Sequence, residues 1–181
     1  MAKDVLERAK ETTADAKNWV AAEYKYMRDA KSFLTDLKEH FENAKKDIRL
    51  ARRALNYVGR AEYRAGRKEE ELLRDLRELA NAVPVEMRAS IDNVEREIEI
   101  IVRQLVKQSS RYTGSIRKML DDLSVQVELV EKGEGNAKVV EEIIDDIVKK
   151  TDDVLQWYAA LETDLRKAEE IEKKIEEWVK G

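Results

Sequence analysis

The stretch LERAKETTADAKNWVAAEYKYMRDAKSFLTDLKEHFENAKKDIRLARRALNYV, residues 6 to 58, decides the fold. Leu6, Thr13, Val20, Met27, Leu34, Phe41, Ile48 and Leu55 stand seven apart. Ala9, Ala16, Glu23, Ala30, Leu37, Ala44, Ala51 and Val58 follow each of them by three. Only Thr13 and Glu23 interrupt this apolar 3-4 ladder, and no Gly or Pro occurs before Gly59. Such a ladder specifies an α-helix whose seam presses on partner helices. Read as one helix it would be roughly 80 Å long at 1.5 Å per residue.

Outward from this ladder, the chain reads as helix throughout. The first helix is expected over 3–65, with Gly66 as a left-handed cap that ends it. A short helix over 68–82 follows, its acidic start Glu69-Glu70-Glu71 suiting the positive end of a helix dipole. Pro84 then marks a boundary. A second long helix is expected over 85–131, with the seam Met87, Ile91, Val94, Ile98, Ile101 and Leu105. That seam continues through Gln108 and Tyr112 to Ile116, Leu120, Leu123, Val127 and Val130. The fours from 108 to 120 are a stutter, and with Ser109–Ser115 they make a hinge or short loop over 109–115 as plausible as straight helix. Gly133-Glu134-Gly135-Asn136 is the clearest turn. The last helix is expected over 137–180, its seam running from Val140 through Ile147, Tyr158 and Glu172 to Val179. The fold class expected is all-α. Its form is an elongated antiparallel bundle of three long, coiled-coil-like helices with the short helix near 68–82, all in a single domain of residues 1–181.

The flanks of the seams carry charge information. After each d residue the ladder reads Lys10, Lys17, Tyr24, Lys31, Lys38, Lys45 and Arg52, a basic row. The same flank of the last helix includes Glu141, Glu162, Glu169 and Glu176. Opposite signs on matching flanks select an antiparallel neighbour. Three up-and-down helices would instead set the first and last parallel. The match therefore asks for a different topology or for a contact between two chains. The other flank of the first helix is aromatic, with Trp19, Tyr26, Phe33 and His40 seven apart, and Trp157 and Trp178 lie on a second stripe of the last helix. Core packing explains such stripes, and so does a helix-partner interface, where Trp and Tyr act as anchors. These six residues are the candidate interface.

Net charge is −4, yet residues 45–68 contain nine bases against two acids. The bases are Lys45, Lys46, Arg49, Arg52, Arg53, Arg60, Arg64, Arg67 and Lys68, with Tyr57 and Tyr63 among them. They either meet acidic flanks within the chain or bind an anionic partner, whether nucleic acid, an acidic membrane surface or an acidic protein. The acidic pI of about 5.4 weighs against nucleic acid.

Composition limits the chemistry. Charged residues make up 41% and aromatics 6%, as in long helices. There is no Cys, so disulfides and thiolate metal sites are excluded. The lone His40 has Leu37 three residues before it, so no Glu-x-x-His pair of a helical di-iron site exists. No Gly-rich phosphate loop follows a strand. We expect no enzyme, no cofactor, no metal and no small-molecule substrate. The expectation is a scaffold or protein-interaction protein. It would pair with itself as a homodimer or with another helical protein, and binding of an anionic surface through 45–68 is the alternative. No apolar run reaches membrane-span length and no signal core opens the chain, so a cytoplasmic location is expected. Abundant Glu, Lys and Arg with no Cys fit a heat-adapted source.

Overall fold

The structure is a computed structural model describing residues 2–181, with the side chains of all but 108–112. It is an all-α bundle with no strand among the described residues. Four long helices follow one another: α1 (Ala2–Glu39), α2 (Ala44–Ala82), α3 (Val85–Glu131) and α4 (Ala137–Lys180). A one-turn 3-10 helix, Phe41–Asn43, joins α1 to α2.

Two expected boundaries are corrected. The first helix does not continue to 65. It stops at Glu39, and His40 leaves helical geometry with φ −130° and ψ 80°. The His40 amide donates to Asp36 O at 2.7 Å, and the Asn43 amide donates to His40 O at 2.9 Å. The Asn43 side-chain amide also donates to Asp36 Oδ2 at 3.2 Å. The ladder is blind to this turn because Leu37, the last buried seam residue of α1, and Ala44, the first of α2, are one heptad apart. Phe41, expected on the seam, is only half-buried in the turn. Nor is there a break at Gly66. Residues 59 to 82 are one helix, and the expected short helix 68–82 is the end of α2. Three long helices and a short one are therefore four long helices. The other two expected helices have the bounds read from sequence. For the hinge proposed over 109–115, α3 is helical across its whole span, while the side chains of Gln108 and Tyr112 lie outside the described residues.

The connections follow local chemistry. Pro84 separates α2 from α3. Gly133 takes φ +75°, and the Glu134 and Gly135 amides fold back on Leu129 O at 2.9 and 3.0 Å, a left-handed helix cap. Asn136 then opens α4 by accepting the Lys138 amide at 2.9 Å.

The chain divides into two compact units. Unit 1 comprises 1–22, 60–105 and 157–181, and unit 2 comprises 23–59 and 106–156. Each contains a segment of all four helices. In unit 1, α1 lies antiparallel to α2 through Thr12–Asp75 and Asp15–Lys68, and antiparallel to α4 through Lys10–Glu176 and Lys17–Glu169. The α2–α3 contact is Arg77–Glu95, and the α3–α4 contact is Lys167–Glu97. Tyr158 of α4 donates its hydroxyl to Glu62 of the parallel α2 at 3.0 Å. In unit 2, Lys31–Asp152 and Lys38–Asp145 join α1 to α4, and Lys45–Glu131 and Arg52–Asp121 join α2 to α3. Up-down-up-down connectivity in each unit makes α1 and α4 antiparallel neighbours. Within one chain the lysine row thus meets two acids of the expected flank, Glu169 and Glu176, and two others of α4, Asp145 and Asp152.

Buried seam residues fill both units. In unit 1 these include Leu6, Val20, Leu72, Leu76, Ile98 and Leu165, and in unit 2 Met27, Leu34, Leu55, Ile116 and Ile147. Alanines at 9, 16 and 30 on α1, and at 51, 61 and 65 on α2, are also buried and let the helices pack closely. On α3 the buried residue is Val102 rather than the expected Ile101, because straight-helix periodicity drifts from a strict heptad.

Candidate functional site

Between α1 and α2 of unit 1 lies a groove of about 650 Å³. Trp19 of α1 supplies one wall. The other is α2, with Tyr63, Arg64, Arg67, Lys68, Glu70, Glu71 and Arg74. The sequence places them there because α2 buries Ala61, Ala65, Glu69 and Leu72, which leaves 63–64, 67–68, 70–71 and 74 on the outer face at helical spacing. The Arg64 guanidinium lies 4.9 Å from the centre of the Trp19 ring, and that of Arg67 lies 6.0 Å from the Tyr63 ring. Both are cation–π contacts that hold a cation on an aromatic face. Lys68 bridges Asp15 at 3.4 Å and Glu71 at 3.3 Å, and the hydrogen bond it donates to Glu71 raises its pKa. Tyr63 remains 68% exposed, the most exposed aromatic among the described residues.

The nine candidate bases do not form one surface. Arg64, Arg67 and Lys68 line the groove with Trp19, while Arg60, also in unit 1, does not. In unit 2, Lys45 is held by Glu131 at 3.2 Å and Arg52 by Asp121 at 2.8 Å. Lys46, Arg49 and Arg53 are exposed and have no ion pair among the described residues. The six candidate interface residues are dispersed as well. Trp19 meets Arg64, and Tyr26 stacks on Tyr57 at 5.1 Å, so this flank of α1 packs partly on α2 of its own chain. Phe33 and Trp157 are half-buried, and Trp178 is 44% exposed. His40 sits in the α1–α2 turn, 3.6 Å from Glu42, rather than on a helix face. Arg74 was outside the expected set because Glu69-Glu70-Glu71 end the run of bases at Lys68. The 3-4 count 64, 67, 71, 74 on an unbroken helix reaches it.

A second polar feature is internal. Among the described residues every buried ionisable side chain is an acid: Glu23, Asp47, Glu69, Asp75, Asp164 and Glu172. In unit 1, Thr12 donates to Asp75 at 2.9 Å. Thr13 Oγ1 lies 2.8 Å from Ala9 O and 2.6 Å from Glu172 Oε2. A hydroxyl has one proton and a backbone carbonyl has none to give. Thr13 donates to Glu172 Oε2, which favours the carboxylate, and its hydroxyl proton is shared with Ala9 O. Burial pushes Glu172 up to about 7, against the hydrogen bond from Thr13. Glu69 is also pushed up to about 7 by burial, with Glu62 and Glu70 adding repulsion. Asp164 is pushed up to about 6 by burial and by Glu97, whereas the hydrogen bond from Lys167 lowers Glu97. In unit 2, burial and Asp36 push Asp47 up to about 6, and Asp36 is lowered by the hydrogen bond from Asp47. Among the described residues no hydrogen-bond partner reaches the buried Asp47 Oδ2.

Among the described residues no three His, Asp or Glu side chains are placed to hold a metal ion, and no helix is long and apolar enough to cross a membrane. No family model matches the chain, and no curated protein or solved structure matches it.

Proposed function

We propose that the chain is a non-enzymatic, cytoplasmic helical module that binds another protein through the α1–α2 groove of unit 1. One observation carries this reading. The groove gathers exposed aromatic rings, stacked arginines and a rim of mixed sign, the residue types and charge pattern that anchor and select protein partners. The perturbed carboxyls support a non-enzymatic role. In an enzyme they would face a cleft, whereas Glu69 and Glu172 are 5% and 2% exposed between helices.

A photo-crosslinking residue at position 63, introduced in the cells that make the protein, tests this. The reading requires a protein adduct of defined mass at 63 that is absent at the exposed control position 125. Adducts to nucleic acid or lipid alone would contradict it. A second reading rests on Lys46, Arg49 and Arg53, exposed cations of unit 2 with no ion pair among the described residues. It assigns them to an anionic surface. Salt-sensitive retention on DNA or anionic vesicles, lost in Arg49→Glu/Arg53→Glu, would support it. No retention at low salt would eliminate it.

A further inference from the structure

The charge and shape of the groove restrict its occupant. The guanidinium carbons of Arg64 and Arg67 lie over the rings of Trp19 and Tyr63, 4.9 and 6.0 Å from their centres. Stacking uses the face of a guanidinium, while its N–H donors lie at the edge and stay available to a carboxylate. From Arg64 to Arg74 the helix advances roughly 15 Å, about three turns, so the arginines repeat at the rise of a second helix laid alongside. Lys68 is already held by Asp15 and Glu71, which leaves the three arginines as the cations that a ligand would meet. Glu70 and Glu71 stand in the same wall. They oppose a polyphosphate backbone, whose charges repeat without interruption. A protein helix can place a neutral or basic residue opposite them. Exposed Tyr63 and half-buried Trp19 offer an apolar surface for one side chain of such a helix.

We propose that the groove binds an acidic amphipathic helix of a partner protein, with carboxylates on Arg64, Arg67 and Arg74 and an apolar anchor between Trp19 and Tyr63. This rests on the protein-interaction reading above. The test uses fluorescent synthetic helical peptides with glutamates on one face and leucines on the other, a set in which one phenylalanine is moved along the apolar face. Charge-reversed lysine peptides, a single-stranded DNA oligonucleotide and phosphatidylserine vesicles are run beside them. At least one acidic peptide is expected to bind with Kd on the order of 10 μM, weakening with salt. Its affinity should fall at least tenfold in Arg64→Gln/Arg67→Gln and in Tyr63→Ala, and stay unchanged in Arg53→Gln of unit 2. Circular dichroism confirms that each variant is folded. Failure of every acidic peptide, binding indifferent to Arg64 and Arg67, or tighter groove-dependent binding of DNA or vesicles would overturn the proposal. A protein crosslink at 63 with no acidic peptide bound would leave the protein-interaction reading standing and overturn this one alone.

Discussion

Glu172 and Glu69 carry the clearest residue-scale energetics. Each has a folded pKa of about 7 against an ordinary value of 4.5, so the folded state holds its proton to higher pH than the unfolded chain does. Above pH 7 both states are ionised, and burial of each charge costs on the order of 3 kcal/mol. As pH falls from 7 to 4.5, that cost disappears. Glu172→Gln keeps an acceptor for Thr13 and removes the charge. It should stabilise the protein by about 1–3 kcal/mol at pH 8 and change little at pH 5, measured by urea unfolding at both. Thr13 and Glu23 were visible in sequence only as interruptions of the ladder. Thr13 resolves into a hydrogen-bond partner of Glu172, a contact between residues far apart in sequence that one-dimensional periodicity cannot show.

At the scale of elements, two glycines separate helix from turn. Gly66 lies inside α2 with open space where a Cβ would stand, so Gly66→Ala should stabilise by about 1 kcal/mol. Had it been a left-handed cap, the same change would destabilise. At Gly135 a Cβ would sit 2.7 Å from Val130 N and 2.9 Å from Val130 Cγ2. Gly135→Ala should therefore cost about 1–3 kcal/mol in thermal or urea unfolding. The turn at 133–136 was legible because its glycines break helical chemistry. The turn at 40–43 was not, since Glu39-His40-Phe41-Glu42-Asn43 has neither Gly nor Pro and spans one heptad without a phase shift. Asn43, a residue type that favours helix starts, was the one local signal. The basic half of the groove was legible as a charge run. Its completion by Arg74 and its pairing with Trp19 required the unbroken α2 and the reversed α1.

For the whole molecule, charge organises what the apolar seams leave open. Asp47, Glu69, Asp75, Asp164 and Glu172, all raised by burial, predict a stability maximum near pH 5. Toward pH 8 the buried carboxyls ionise. Below 4.5 the stabilising ion pair of Glu176, which Lys10 holds down to about 2, is progressively lost. The thermal midpoint should be at least ~5 °C higher at pH 5 than at pH 8. A maximum above pH 7 would contradict the destabilising burial of these carboxylates. The lysine row of α1 and the acidic flank of α4 hinted at an antiparallel contact, and the turn at 40–43 places it within one chain. Zero-length carbodiimide coupling of lysines to carboxylates, followed by mass spectrometry of the monomer-mass fraction, tests that assignment directly. The four-helix account predicts Lys10–Glu176, Lys17–Glu169, Lys31–Asp152 and Lys38–Asp145 products within single chains. The same products confined to dimer-mass species would show that α1 runs on past residue 40 and meets α4 of a second chain.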